Sequence, residues 1–461
     1  MTPPRYHHQQ AIVDFCARSE RVLNFSDPGT GKTRAHIDAF ASRPQRKRAL
    51  VLAPLSILDA AWGQDITQYQ PTLRYSIADA KHRKRALRED TDFMLCNHDG
   101  IKGLFALYKQ DKTAFDNFDT LIIDEATAFK NLAGRGGSSR AQALASMRHL
   151  FPYRHLLTGT PATNSVLDLW ALAFLADDGE RLGDSFFAFR NQVTVPEQVG
   201  PSAQMVRWID RPGALDIVSK KLDDITIRFA KHECIDIPKN HVFNVYTTLP
   251  TQVREIYNQM LDDSVVALNS GAVINAIHAG ARANKLLQIC TGAVYAEDGL
   301  SALIHVERYE TVIQLVEERA WPCVVVFNWR HERDQLRALA DKRRINYETI
   351  DGDTPSNRRA DIVARFQAGQ IRMLLIHPQS AAHGLTLTAG RSTIWASPTA
   401  NAEHFLQANA RIDRNGQQHE TETILITARD TREDRVYDML QGKVGRVSTL
   451  LDIFTNLRRA A

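Results

Sequence analysis

The chain has 461 residues, 44% of them apolar and 24% charged, proportions that exclude wholesale disorder, a collagen-like repeat and a coiled-coil rod. At ~150 residues per domain it is expected to fold as two or three lobes with a large buried core. Lys and Arg number 57 against 53 Asp and Glu, a net charge of +4, so any polyanion-binding surface must come from local clustering.

The predicted strands, in chain order, are Arg21–Phe25, Ala49–Ala53, Phe93–Cys96, Thr120–Ile123 and His155–Thr158 in the first half. In the second half they are Cys323–Phe327, Asn346–Ile350, Arg372–Ile376, Thr393–Ala396 and Glu422–Thr427. Short β-branched runs alternating with helical patterns signal βαβ units, hence two parallel-sheet lobes. Between them, from Ala162 to about Glu307, helical periodicity dominates, as in Asp168–Leu175 and Thr251–Leu268, with a Pro/Gly-broken loop at Thr194–Gly213. A crossover is expected near Ile235–Asn244, with Pro238 as a helix stop. Leu132–Arg140 has the composition of a mobile basic loop.

The five cysteines, Cys16, Cys96, Cys234, Cys290 and Cys323, are scattered without a CxxC pair or a histidine at metal-ligand spacing. They read as reduced structural thiols of a cytoplasmic protein. The N-terminus lacks an apolar signal core and no run of about 18 apolar residues occurs, so no membrane association is expected.

The strand ending at Phe25 runs into Ser26-Asp-Pro-Gly-Thr-Gly-Lys-Thr33, followed by a helical pattern. Gly29 and Gly31 let the backbone curl until successive N–H groups face inward at phosphate oxygens, and the helix N-terminus adds positive potential. Lys32 would reach the β and γ phosphates, and the Thr33 hydroxyl would ligate Mg²⁺. Ser26 stands where the general pattern has its first glycine. Roughly a hundred residues on, Leu121-Ile-Ile-Asp-Glu125 carries two acids to the carboxyl edge of the sheet. There Asp124 would hold the magnesium and Glu125 would orient and deprotonate the attacking water.

Further segments complete a series. His8-Gln-Gln-Ala-Ile precedes the phosphate loop; Leu50-Val-Leu-Ala-Pro-Leu-Ser-Ile-Leu58 with Trp62 follows it. The acids open Asp124-Glu-Ala-Thr-Ala-Phe-Lys-Asn131, and Leu156-Leu-Thr-Gly-Thr-Pro-Ala-Thr-Asn164 leads to Asp168-Leu-Trp-Ala-Leu172. The second half supplies Val325-Val-Phe-Asn-Trp329, Asp351-Gly-Asp-Thr-Pro-Ser356, Ser380-Ala-Ala-His-Gly-Leu-Thr-Leu-Thr388 and Gln407-Ala-Asn-Ala-Arg-Ile-Asp-Arg-Asn-Gly-Gln417. In order and spacing these resemble the superfamily 2 helicases and, within them, the SNF2-like DNA translocases, over about Tyr6 to Asp434. Thr127, Ala382, Thr386 and Asp413 depart from that family's usual His, Gly, Asn and His.

The resemblance implies an α/β fold of two RecA-like parallel-sheet lobes with SNF2-type helical insertions. The first lobe would span 1–235 with an insertion at about 165–235, and the second 236–461 with an insertion at about 250–305. ATP and Mg²⁺ are the implied cofactors. Gln9, with Gln10 as adjacent competitor, would read adenine, while Asp27, Gly29, Thr30, Gly31, Lys32 and Thr33 would hold the phosphates. Arg411 and Arg414, one helical turn apart on one face, would act as arginine fingers. Thr158, Gly159, Thr160 and Gln407 would couple nucleotide state to the track. Pro54, Leu55, Ser56, Asn97, His98, Asn328, Trp329, Gly384 and Thr386 would line it, contacting phosphates without reading bases. Basic clusters at Arg43–Arg48, Lys81–Arg88 and Lys342–Arg344 would add salt-sensitive affinity, or form solvated helix faces.

The function expected is that of an ATP-dependent double-stranded DNA translocase that remodels protein–DNA or branched DNA structures. Two alternatives remain: a strand-separating or branch-migrating helicase, for which no parting hairpin is evident, and an ATP-gated DNA-binding scaffold. No chromatin-reading or zinc-type appendage is visible. A minimal monomeric, cytoplasmic and nucleoid-associated protein of a bacterium or phage-infected cell is expected, targeted by DNA structure or a protein partner.

Overall fold

Continuous apolar runs such as Leu121–Ile123 and Cys323–Val326 have no polar alternation, so they make strands buried on both faces, the condition for an all-parallel sheet. In the computed structural model, which describes residues 3–133, 137–200, 205–263, 265–267, 273–275, 279–296, 300–381 and 385–460, two such sheets form. The chain divides into one unit of Met1–Asp236 with Lys443–Ala461 and a second of Ile237–Gly442.

The sheet of the first unit has seven strands in the order Tyr75–Ile77, Phe93–Asn97, Arg48–Ala53, Phe118–Asp124, Tyr153–Leu157, Arg21–Asn24 and Thr226–Ile227. That of the second has six, in the order Asn240–Thr247, Thr421–Ala428, Ser392–Trp395, Cys323–Val326, Met373–Ile376 and Tyr347–Ile350. Every pairing in both is parallel, so within each unit all strand C-termini share one edge, where ligands of open α/β sheets collect. Trp62, Phe40 and Phe93 fill one core, against strands carrying Val51 and Ile122. Tyr309, Leu336 and Phe327 fill another, against Val325 and Ile394. These are the two RecA-like lobes.

Five expectations change. Lys443–Ala461 belongs to the first unit: Phe454 packs edge-on to Phe25 at 5.4 Å, Arg458 lies over the Phe229 ring at 4.0 Å, and Arg458 and Arg459 both pair with Glu233. Asn240–Thr247 is the edge strand of the second sheet, paired with Thr421–Ala428, where a crossover was expected. The insertions are mixed. The first holds helices Asp168–Asp177, Phe186–Val193 and Ala214–Leu222 but also an antiparallel hairpin, Thr194–Gln198 with Val206–Asp210. In the second, the helix expected over Thr251–Leu268 ends at Asp263, and hairpins Val265–Ala267/Val273–Asn275 and Ala293–Tyr295/Ser301–Leu303 flank the helix Ala279–Thr291. Finally, Arg43 and Arg48 are not free surface charges. Arg43 pairs with Asp119 at 2.6 Å, and buried Arg48 donates to Ser76 Oγ, Thr91 Oγ1 and the Ala86 and Leu87 carbonyls. Part of the expected basic loop, residues 134–136, lies outside the described residues.

Candidate active site

The phosphate loop connects strand Arg21–Asn24 to helix Lys32–Ser42. Gly29 (φ 85°) and Gly31 (φ 75°) occupy the left-handed region, which glycine enters without strain, and Gly31 caps the helix. Lys32 Nζ folds back to donate to the Ser26 carbonyl at 2.7 Å and the Asp27 carbonyl at 3.1 Å. Burial pushes the Lys32 ammonium down; Glu125, Asp124 and Asp27 oppose that, and Arg228 adds to it. The Thr30 hydroxyl donates to the Asp27 carbonyl, and buried His8 donates from Nε2 to the Thr30 carbonyl at 2.8 Å. Thr33 sits half-buried in the first helical turn.

The two glutamines part company. Gln9 is buried, accepts the Tyr6 N–H at 3.0 Å and lies against Gly31, where its amide fills the space a Cβ would need. Gln10 is exposed and engages Arg5 and Asp14. Asp27 differs from its expected role as a phosphate contact. Its N–H donates to the Phe229 carbonyl, one carboxylate oxygen pairs with Arg228 at 2.8 Å, and the other accepts the Lys231 N–H at 2.8 Å. It therefore anchors the loop to the segment after strand Thr226–Ile227. Arg228 carries no local sequence signal, since its partner lies some two hundred residues upstream.

The acids lie at the same sheet edge. Asp124 Oδ2 accepts the Trp62 indole N–H at 3.0 Å, Oδ1 accepts the Glu125 N–H at 3.0 Å, and the Asp124 carbonyl accepts from His98 at 2.8 Å. Burial raises the Asp124 carboxyl; Lys32 and the two N–H donors pull it back. Glu125 sits at φ 51°, a left-handed setting that a non-glycine residue holds only when its surroundings enforce it. Thr158 accepts the Thr160 N–H, Thr160 Oγ1 is buried without a partner among the described residues, and a Cβ on Gly159 would come within 2.7 Å of Pro28. That turn thus packs directly on the phosphate loop. Pro54, exposed Leu55, Ser56 and Asn97 stand at the C-terminal ends of neighbouring strands, with Ser56 Oγ buried and without a partner among the described residues.

In the second unit the helix Ala402–Asn409 ends before Arg411 and Arg414, so the expected helical spacing does not apply. The two arginines lie in the turns that follow and converge all the same: Arg414 Nη1 donates to the Leu385 carbonyl at 2.9 Å and Arg411 Nη1 to the same oxygen at 3.5 Å. Burial lowers the Arg414 guanidinium. Arg411 Nε donates to the carbonyl of Gln407, whose side-chain Nε2 is buried and has no partner among the described residues. Thr386 is half-buried next to Leu385; Gly384 lies outside the described residues. Asn328 donates to Ser397 and to the Pro398 carbonyl, and Trp329 packs against Tyr295 and His331.

Residues 8–291 match the SNF2-related domain and residues 307–416 the helicase conserved C-terminal domain. The chain belongs to the SNF2-related family. It is a nucleic-acid-dependent ATPase of superfamily 2. Similar proteins include putative protein p41 of Acyrthosiphon pisum secondary endosymbiont phage 1, 28% identical over 98% of both chains. Chromodomain-helicase-DNA-binding protein 1-like of Danio rerio is 22% identical over 95% of this SNF2-related chain, which spans 43% of that relative's length. Among solved structures, the Sulfolobus solfataricus SWI2/SNF2 ATPase core in complex with dsDNA is 20% identical, with a TM-score of 0.44 over 98% of this chain and 93% of that one. No helix among the described residues is long and apolar enough to cross a membrane.

Proposed function

We propose that this SNF2-related ATPase moves along double-stranded DNA at the expense of ATP and remodels protein–DNA or branched DNA structures. The observation that supports it best is the convergence at one sheet edge of the Gly29–Thr33 loop, the Asp124–Glu125 pair and the Thr158–Thr160 turn packed on Pro28. A loop with two left-handed glycines at a helix N-terminus suits a triphosphate, and a buried carboxylate already oriented by two N–H donors suits a hydrated Mg²⁺. When bound, the metal–nucleotide complex supplies the phosphoryl group for in-line transfer to water.

The chain's own residues do the rest. Gln9 reads the adenine edge, Lys32 exchanges the Ser26 and Asp27 carbonyls for phosphate oxygens, and Thr33 and Asp124 hold the metal. Glu125 takes the proton of the attacking water. Arg411 and Arg414 neutralise charge that develops in the transition state, Gln407 supports them, and Thr158 and Thr160 relay the phosphate state. Pro54, Leu55, Ser56, Asn97, Asn328, Gly384 and Thr386 contact the sugar–phosphate track. The protein works as a cytoplasmic monomer of a bacterium or phage-infected cell, a reading the phage relative supports, and a protein partner or DNA structure directs it.

A strand-separating reading gains one observation: the hairpin Thr194–Gln198/Val206–Asp210 places exposed Val195 opposite exposed Ile209. ATPase and unwinding assays on blunt duplex, forked duplex, single strands and RNA separate the readings. Stimulation by blunt duplex without strand release supports translocation. Fork-dependent strand release lost in Val195→Asp favours separation, and stimulation by RNA alone defeats both.

A further inference from the structure

Directly beneath the phosphate loop lies a chain of four polar groups with a fixed polarity. The Ser26 N–H donates to Asn24 Oδ1 at 3.0 Å. A backbone N–H can only donate, so the amide orientation of Asn24 is determined and its Nδ2 must face His36 Nε2, 3.0 Å away. Nε2 therefore accepts, and the proton of neutral His36 sits on Nδ1, from which it donates to His155 Nδ1 at 3.1 Å. His155 then carries its own proton on Nε2, and that atom is buried without a partner among the described residues. Burial, chiefly, pushes His36 well below the ordinary histidine range and His155 down to about 3, so both rings are neutral at working pH. Asn24 and His36 are 0% exposed and His155 3%.

The polarity decides between two uses of the cluster. Cys16, His36 and His155 each bring a ligand atom within 4.8 Å of the other two, with His36 Nδ1 3.8 Å from Cys16 Sγ and 3.1 Å from His155 Nδ1, a spacing a soft divalent cation would accept. Such a cation needs a lone pair on His36 Nδ1. Moving that proton to Nε2 would set it against the Asn24 amide, which the Ser26 N–H prevents from turning round. The proton thus fills the place a cation would take.

We propose that Asn24, oriented by His36 and His155, is the positioning residue that sets the entry of the phosphate loop and thereby the affinity for ATP. The inference rests on reading this loop as the ATP site. Ser26, whose N–H Asn24 holds, is the residue whose carbonyl receives Lys32 Nζ at 2.7 Å, and the Asn24 carbonyl accepts the Thr158 N–H at 3.0 Å. The Asn24 side chain therefore holds the residue whose carbonyl receives the lysine, while its backbone carbonyl fixes the Thr158–Thr160 turn alongside. The neutral Nδ1–H tautomer of His36, normally the minor one, is what leaves Nε2 free to hold the Asn24 amide.

The test has a spectroscopic arm and a kinetic arm, both on the full chain. Long-range ¹⁵N–¹H correlation of histidine-labelled protein, with His36→Gln for assignment, should show His36 as the Nδ1–H tautomer and His155 as Nε2–H. Asn24→Leu should raise the KM for ATP about tenfold, the worth of one anchoring hydrogen bond, with kcat within about threefold. In Asn24→Asp the carboxylate still accepts from Ser26 and His36 turns to its Nε2–H form; the KM should return to within about threefold of the parent. If Asn24→Leu does not fold, the parent's tautomers and Asn24→Asp decide.

An Nε2–H His36 in the parent, an unchanged KM in folded Asn24→Leu, or stoichiometric Zn²⁺ binding that Cys16→Ser abolishes would each overturn the proposal. Lys32→Ala run in parallel isolates the underlying reading: retained ATP binding there, with the tautomers as stated, refutes the ATP-site assignment and not the relay.

Discussion

Trp62 donates its indole N–H to the Asp124 carboxylate at 3.0 Å, from a side chain that is itself fully buried. The bond favours the ionised acid against the burial that raises its pKa. Trp62→Phe keeps most of the packing and removes that donor. We expect kcat/KM to fall roughly tenfold, the Mg²⁺ requirement to rise, and the acidic limb of the pH–rate profile to move to higher pH, because a carboxylate that has lost a donor ionises later. Steady-state ATPase rates over pH and Mg²⁺ check this; an unmoved acidic limb would separate Trp62 from the chemistry.

Three variants divide binding from turnover. Lys32→Ala should abolish productive nucleotide binding. Glu125→Gln should trap bound ATP, since the amide cannot take the water's proton. Arg414→Ala should leave ATP affinity intact while the hydrolysis rate falls by roughly 10³-fold or more. Nucleotide binding by fluorescence and single-turnover hydrolysis distinguish the three.

Arg228 and Asp27 form an ion pair at 2.8 Å with the guanidinium buried, and the Lys231 N–H takes the other carboxylate oxygen. Arg228→Met removes the ion pair and leaves the Asp27 carboxylate with the Lys231 N–H. We expect the KM for ATP to rise roughly tenfold with kcat little changed. An equal loss in both would show that Arg228 acts on the transition state instead.

The ten strands expected from sequence are all present, most of them short buried apolar runs that report themselves, with Tyr347–Ile350 a half-buried edge strand. What escaped lacked such a run. Asn240–Thr247 mixes polar and apolar residues without a continuous buried run and leaves Val242, Phe243 and Tyr246 exposed, as an edge strand with one neighbour does. Thr226–Ile227 is two residues long and owes its place to pairing with Leu23 and Asn24. The strand–loop–helix setting of Gly29–Thr33 and the strand-end position of Asp124–Glu125 were legible because each is written in one local segment. The Asp27–Arg228 tether and the Asn24–His36–His155 chain were not, since they join residues far apart in sequence that only the packed sheet brings together.

Glu332 offers a pH signature in the second unit. Burial raises its carboxyl to about 7, although Oε2 accepts from the Asn328 and Trp329 N–H groups and the Ser397 hydroxyl. Between the ordinary glutamate value of 4.5 and about 7 the folded form keeps a proton that the unfolded form has lost, so stability falls as pH rises through this window. The loss is up to about 3 kcal/mol. Glu332→Gln should match the parent's melting temperature near pH 5 and exceed it at pH 8. Parallel pH dependences in the two proteins would show that the carboxyl titrates normally.

ATP turnover against a panel of polynucleotides, with a salt titration, tests the central claim most directly. The account predicts strong stimulation by blunt double-stranded DNA, weakening steeply with salt as phosphate contacts are screened, and no turnover in Lys32→Ala. Stimulation by RNA alone, or a rate indifferent to any nucleic acid, would contradict it.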